Sequence, residues 1–287
     1  MAGKTASRKQ SLGNNASVTK RWRNRAIMAL VAFVGVVSGS TYLLSLHDID
    51  PLQFYANMAN PTMRFVKIYP GMRKEEIADV YGKVLAWNDV NRQAFLAAVP
   101  SDERGTVDGY YFPSSYWFSY DTSGAEVGKR MVDTFNEKVS TSTMKVSSRN
   151  LKNKINLDTA VRIASIIQRE AAGPQDMGLV SGIMWNRIFN GMNLQMDATL
   201  QYAKGTTTDW WPDVHSKDKK IDSPYNTYLY KGLPPTAISN PSLAAIKAAY
   251  NPEKTSCIFY IHDKNHQIHC AATYEEHVRN VKQYLSN

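Results

Sequence analysis

Glu170 closes a run, Leu157 to Glu170, in which Ala160, Val161, Ile163, Ala164, Ile166 and Ile167 recur at spacings of three and four. That period is helical, and Gly173-Pro174 stops it. At about 100° per residue, Glu170 lies within one turn of the face carrying Ile163, Ile166 and Ile167, while Arg162, Ser165 and Arg169 point well away. A carboxyl group aimed at apolar neighbours loses hydration. Its charged form is disfavoured and its pKa rises, so it holds a proton near neutral pH and can act as a general acid. The plainer alternative is a glutamate in a last helical turn that reaches water and does no chemistry.

Asn186, Gln195, Asp197 and Thr199 follow within about 30 residues, and Tyr225 and Asn226 come later. Amide, hydroxyl and carboxylate groups around one protonated glutamate suit polysaccharide cleavage, which needs a proton donor at the leaving oxygen and hydrogen bonds to sugar hydroxyls. Asn186 either bridges to Glu170 or caps a helix. For Gln195, Asp197, Thr199, Tyr225 and Asn226, sugar binding and backbone capping are equally open readings. Asp197 is the candidate second carboxylate for a hydrolytic reaction. His262, His266, His269 and His277 crowd the C-terminus, but their spacing matches no HExxH or Cys/His ligand set, so neither metal nor cofactor is expected. There is no glycine-rich phosphate loop and no GxSxG elbow.

The elements that must position these groups read as α+β. Arg64 to Tyr69 is a short strand ended by Pro70-Gly71; Arg73 to Ala86 and Val90 to Val99 are helical; and Gly109 to Phe118 is an aromatic-rich strand or turn. Ser123 to Val139 reads as a further helix, and the polar stretch Ser140 to Ser148 as a linker. Beyond the Glu170 helix come a helix over Leu179 to Phe189, a loop over Gly205 to Asp222 and a short helix over Ser242 to Tyr250. A hairpin, CIFYIH-DKNH-QIHCAAT, and a helix over Tyr274 to Leu285 finish the chain. Trp210 and Trp211 in the loop either pack it or form an aromatic platform for a sugar. If His262 pairs with Gln267, Cys270 faces Phe259 and is only diagonal to Cys257, so the two cysteines are expected as free thiols.

Ahead of these domains, residues 1–25 carry seven basic residues and no acidic one, and account for most of the net charge of +9. The rest of the chain is nearly neutral, which argues against a nucleic-acid partner. Ala26 to Leu46 has no charged residue and 21 positions, roughly 30 Å of helix at about 1.5 Å per residue, enough for a bilayer core. The basic flank sets the N-terminus in the cytoplasm and everything after His47 outside. The run outlasts a signal-peptide h-region, so an uncleaved single-pass anchor is expected.

Ala164-Ser165-Ile166-Ile167 leading to Glu170, Asn186-Arg187, Gly191-Met192 through Leu194-Gln195, Asp197 and Thr199 resemble the YceG-like family of endolytic murein transglycosylases. SPYNTY (Ser223 to Tyr228), GLPP (Gly232 to Pro235), Ile238 with Asn240-Pro241, and Glu276-His277 continue the match in order. DGYYFPSSY (Asp108 to Tyr116) and VKIYPG (Val66 to Gly71) look like the family's LysM-like domain. The resemblance implies a membrane-anchored lyase. Its domains would be a tail (1–25), a transmembrane helix (26–46), a LysM-like domain with connecting segments (47–145) and a YceG-like catalytic domain (150–287). Glu170 would be catalytic acid and base, with Asn186, Gln195, Asp197, Thr199, Tyr225 and Asn226 binding substrate. Peptidoglycan glycan strands would be the substrate, cell-wall synthases possible partners, and the outer, periplasmic face of the inner membrane the place. A muramidase-type hydrolase and a non-catalytic glycan-binding scaffold are the alternatives. The chain departs from the family where Asp108 and Ser114 stand for Glu and Asp, and where Ile268 and Cys270 stand for a histidine and an aromatic residue.

Overall fold

Period-two alternation makes two short strands, β1 (Met63–Lys67) and β2 (Ser115–Ser119), which pair antiparallel with Val66 opposite Tyr116. In this computed structural model, which describes residues 28, 34–42, 50–99, 108–141 and 156–285, the strands belong to a unit running from Thr62 to Asn287. Residues 1–61 form a separate unit. It holds helical residues 28 and 34–42 and α1 (Pro51–Ala59), whose N-cap Asp50 accepts from Leu52 N at 2.9 Å. Among the described residues no helix is long and apolar enough to cross a membrane. The basic tail, much of the run expected to span the bilayer, and most of the linker at 140–148 lie outside the described residues.

Between β1 and β2 in sequence lie α2 (Lys74–Val84) and α3 (Asp89–Leu96). Ile77, Tyr81 and Phe95 from these helices meet Val66, Tyr116 and Phe118 from the strands in a first core, where the Phe95 and Tyr111 rings stack 4.5 Å apart. Helix α4 (Gly124–Thr141) gives Val127 and Met131 to that core, and Phe135 and Val139 to a second. The second core is built on α5 (Leu157–Glu170), flanked by α6 (Met177–Phe189), α7 (Asp197–Lys204) and α8 (Leu243–Tyr250). Asn156 caps α5 through Thr159 N at 2.8 Å. Ser165, expected on the polar side of α5, is instead buried: its Oγ donates to Arg162 O and accepts from Ile238 N at 3.0 Å. The helix is enclosed on more than its isoleucine face, which the apolar period alone did not reveal.

β3 (Phe259–His262) and β4 (Ile268–Ala271) form the expected hairpin, and α9 (Tyr274–Tyr284) follows, capped by Thr273. The register is one residue off the expected pairing: His262 faces Ile268 and Tyr260 faces Cys270. Cys257 lies just outside the ladder, with its N–H on Thr255 Oγ1 and its carbonyl held by Asn186 Nδ2. The two form a disulfide with Cα atoms 5.8 Å apart, correcting the expectation of free thiols.

The two cores meet at a polar joint. Fully buried Asp108 accepts from Lys74 N at 2.6 Å, Tyr202 Oη at 2.9 Å and Asn240 Nδ2 at 3.3 Å, with Lys74 Nζ at 3.7 Å. Asn240 Oδ1 accepts from the N–H groups of Gly109 and Tyr111, and the Asn240 and Gly71–Met72 backbones exchange hydrogen bonds of 2.9 Å. Gly109 has φ +106°, and a Cβ there would lie 2.4 Å from Val161 Cγ1, so only glycine fits. Burial pushes the Asp108 carboxyl above its ordinary pKa, against the pull of Lys74. Beside it, the Arg73 guanidinium lies 3.9 Å from the Tyr202 ring centre and that of Arg169 lies 3.8 Å from Trp211, whose Nε1 donates to Glu76. The tryptophans pack this joint.

Asp108→Ala strips the acceptor from a buried main-chain N–H, a tyrosine hydroxyl and an ammonium. It should lower unfolding free energy by about 3–5 kcal/mol, read as a fall in the urea midpoint at pH 7.

Candidate functional site

Glu170 stands at the last position of α5, and two other elements reach it. Tyr260 Oη, from β3, donates to Oε2 at 2.7 Å. Ala198 N, in the first turn of α7, donates to Oε1 at 3.1 Å. Met196 precedes α7 and makes no side-chain cap hydrogen bond, its Sδ instead accepting from Tyr260 Oη at 3.5 Å, so Glu170 satisfies one of the unpaired N–H groups at that helix start. Part of the side chain meets a cleft of about 510 Å³, whose walls are Arg187, Gln195, Met196, Asp197, Lys219, Tyr228, Phe259, Tyr260, Ile261, Tyr274 and His277.

Burial pushes the Glu170 carboxyl above its ordinary pKa. Tyr260 and Ala198 pull the other way because they favour the charged form, while the nearby Asp197 carboxylate adds to the rise. The result is a group that holds a proton more readily than a solvated glutamate, yet finds two donors waiting when it gives the proton up. Burial and the Glu170 charge likewise raise the Tyr260 hydroxyl, so it stays a hydrogen-bond donor.

Three residues singled out from the sequence converge here: Glu170, Gln195 and Asp197 all line the cleft. Asp197 is exposed, and its Oδ1 accepts from Tyr228 Oη at 2.6 Å. Gln195 has φ +53°, a left-handed conformation rare outside glycine, and its N donates to Thr227 O. The other four do not line it. Asn186 Nδ2 donates to Thr255 O and Cys257 O, each at 2.9 Å, so it neither bridges to Glu170 nor caps a helix; it ties α6 to the segment entering the hairpin. Thr199 Oγ1 is buried between Met196 O and Thr227 Oγ1. Tyr225 Oη pairs with Thr236 Oγ1 at 2.7 Å. Asn226 is fully buried and holds Lys219 O and Ile221 O. These side chains shape the walls instead of facing the cleft.

Several cleft residues escaped the sequence reading. Tyr260 belongs to the FYIH strand, where period-two alternation allowed either face, and the register slip hid which one looks at Glu170. Arg187 sits in the Asn186-Arg187 pair. Buried, it donates to Ile258 O at 2.6 Å and Leu194 O at 2.5 Å and fixes the backbone on both sides of the cleft. Tyr228 ends the SPYNTY motif. His269 is engaged by Asp263 at 2.9 Å and stacks on Tyr284.

The α+β fold thus places one hydrogen-bonded glutamate carboxyl, raised in pKa by burial, on a polar cleft. The model of the YceG-like family matches residues 4–283, and the chain belongs to that family. It is 34% identical over 182 residues to a protein of Bacillus subtilis named endolytic murein transglycosylase, covering 63% of this chain and 49% of that one. A protein of the same name from Streptococcus pneumoniae is 29% identical over 196 residues, 67% of this chain and 35% of that one. The chain therefore spans about half the length of these curated relatives, or less. The crystal structure of a YceG-like protein from Listeria monocytogenes superposes with a TM-score of 0.65 at 25% identity, covering 81% of each chain.

A carboxyl whose pKa is raised on folding stabilises the fold fully below its unfolded pKa and loses that contribution as pH climbs through the folded value. Glu170→Gln keeps an oxygen for Ala198 N–H and removes the titration. Its melting temperature should match the parent's below about pH 4 and exceed it increasingly at higher pH. A difference that stays flat with pH would contradict the raised pKa.

Proposed function

We propose that this chain is an endolytic peptidoglycan lytic transglycosylase with Glu170 as its catalytic acid and base. The observation that carries this reading is the Glu170 carboxyl itself: raised in pKa by burial, open to a cleft, and met by two donors that receive its negative charge. Protonated Glu170 gives its proton to the oxygen joining N-acetylmuramic acid C1 to N-acetylglucosamine, and the C1–O bond breaks. The muramic C6 hydroxyl oxygen then bonds to C1, and its proton returns to the Glu170 carboxylate. The product carries a 1,6-anhydro ring, no water is consumed, and the enzyme ends as it began. Tyr260 and the Ala198 N–H hold the carboxylate between the two transfers. Gln195 and Asp197, on the same cleft, are assigned to the sugar.

The further assignments belong to the same proposal. The order β1–α2–α3–β2, closed into a small core of its own, supports reading residues 47–145 as LysM-like. Residues 150–287 would be the catalytic domain. The uncharged run at 26–46 behind a basic tail supports a single-pass anchor in the inner membrane, with the cleft on its outer face, near new strands and their synthases. Cutting there would terminate strand elongation.

Purified full-length protein incubated with uncrosslinked glycan should release strands ending in 1,6-anhydro-muramic acid, read by mass analysis, and Glu170→Gln should lower the rate by about 10²–10⁴-fold. Reducing ends would point instead to a hydrolase using Asp197 and water, and uncut strands to a binding scaffold. Tyr260→Phe removes a donor that favours the charged carboxylate, so the pKa of Glu170 rises further. The fall of kcat/KM at high pH should therefore move to higher pH in that variant, and a fall at unchanged pH would contradict the role given to Tyr260.

A further inference from the structure

The side chains on the cleft walls differ in what already occupies them. The Arg187 guanidinium is committed to the carbonyls of Ile258 and Leu194, and Asp197 to Tyr228. Lys219 is different. Its ammonium lies 4.4 Å from the centre of the Tyr228 ring, and among the described residues no carboxylate stands within ion-pair distance of it.

The chain has built a support for this one cation. Lys219 is the middle residue of a 3-10 turn, Asp218–Lys220. Asp218, itself buried, ties the front of the turn by accepting from His215 N at 2.9 Å and Lys204 Nζ at 2.5 Å. Asn226, fully buried, ties the back by donating to Lys219 O at 3.2 Å and Ile221 O at 2.7 Å, and its Oδ1 accepts from Tyr228 N at 3.0 Å. One buried amide thus sets both the turn that carries the ammonium and the residue whose ring the ammonium lies on. These bonds fix the backbone from which the Lys219 side chain extends, and the Tyr228 ring gives its ammonium a resting place. Lys219 is itself exposed, and in the cleft that Glu170, Asp197 and Tyr228 also line, its ammonium lies over the Tyr228 ring, open to a ligand.

We infer that Lys219 forms a carboxylate-binding subsite, taking an anionic group carried on the lactyl arm of the muramic residue beside the scissile bond. The inference rests on the saccharide reading above. Two carboxylates share this chemistry: that of the bare lactyl group on a strand stripped of peptide, and those of a stem peptide attached to it. Either charge would be drawn to the Lys219 ammonium, which orients the muramic residue in the cleft.

The test uses the full-length protein carrying Glu170→Gln, which binds without cutting, with and without Lys219→Met, which keeps the alkyl stem over Tyr228. Equilibrium binding is measured for three probes: uncrosslinked strands bearing peptides, strands stripped of peptides, and strands whose carboxylates have been amidated. With Lys219 present, at least one charged probe should bind about tenfold more tightly than the amidated strand, the size of one charge-assisted contact. Lys219→Met should abolish that difference and its salt dependence, and Lys219→Arg should restore both. Whichever charged probe shows the loss identifies the carboxylate. Equal binding of charged and amidated strands, or a difference that survives Lys219→Met, overturns the subsite. Binding that depends on Lys219 in a protein whose parent forms no anhydro ends would overturn the transglycosylase reading and leave the subsite standing.

Discussion

A carboxyl group withdrawn from water is costly when charged unless something takes up its oxygens, and Glu170 meets both halves of that constraint. Burial at the end of α5 pushes it toward its protonated form. Ala198 N–H and Tyr260 Oη make the ionised form tolerable. On the proposed mechanism the balance matters, because a residue that donates a proton and then recovers one cannot be held hard in either state. The same contacts are structural. The Ala198 bond caps α7, whose own N-cap residue Met196 makes no side-chain cap bond, and the Tyr260 bond ties the hairpin to α5. Site and fold therefore share atoms.

Around that carboxyl, the polar residues divide by depth. Those on the cleft surface, Gln195, Asp197, Lys219 and Tyr228, have side chains that a substrate can reach. Those one layer deeper hold the first group in place: Asn226 supports Lys219 and Tyr228, Thr199 with Thr227 supports the Met196 backbone, and Asn186 and Arg187 fix the chain entering β3. The Cys257–Cys270 disulfide braces the same hairpin from outside, one cross-strand pair from Tyr260. Farther back, Asp108 and Asn240 join the first core to the second, so motifs that look separate in sequence, DGYYFP, VKIYPG and ISNP, are faces of one contact.

Much of this was legible in the residues. The isoleucine period located α5 and ended it at Glu170, as the structure has it. The helices expected over Ser242 to Tyr250 and Tyr274 to Leu285 are found at Leu243–Tyr250 and Tyr274–Tyr284. What escaped depended on partners distant in sequence. Helix α7 read as a polar segment because its cap comes from Glu170, 28 residues earlier, and not from its own N-cap. Ser165 read as solvent-facing because its partners Ile238 and Ser239 lie over 70 residues away. Asn186, Thr199, Tyr225 and Asn226 have the same side-chain chemistry as Gln195 and Asp197, and only packing separates a residue that touches the cleft from one that holds its wall. A slip of one residue in the hairpin register concealed both the disulfide and Tyr260.

The account stands on the protonation of a single side chain, so the direct measurement is the titration of that side chain. Difference infrared spectroscopy of the parent protein against Glu170→Gln isolates the carboxyl C=O band of Glu170 as pH is raised. The account predicts that the band persists above the ordinary glutamate pKa of about 4.3 and then gives way to carboxylate. A band that vanishes at or below that value would mean that Glu170 is an ordinary solvated carboxylate, and the acid–base mechanism built on it would fall.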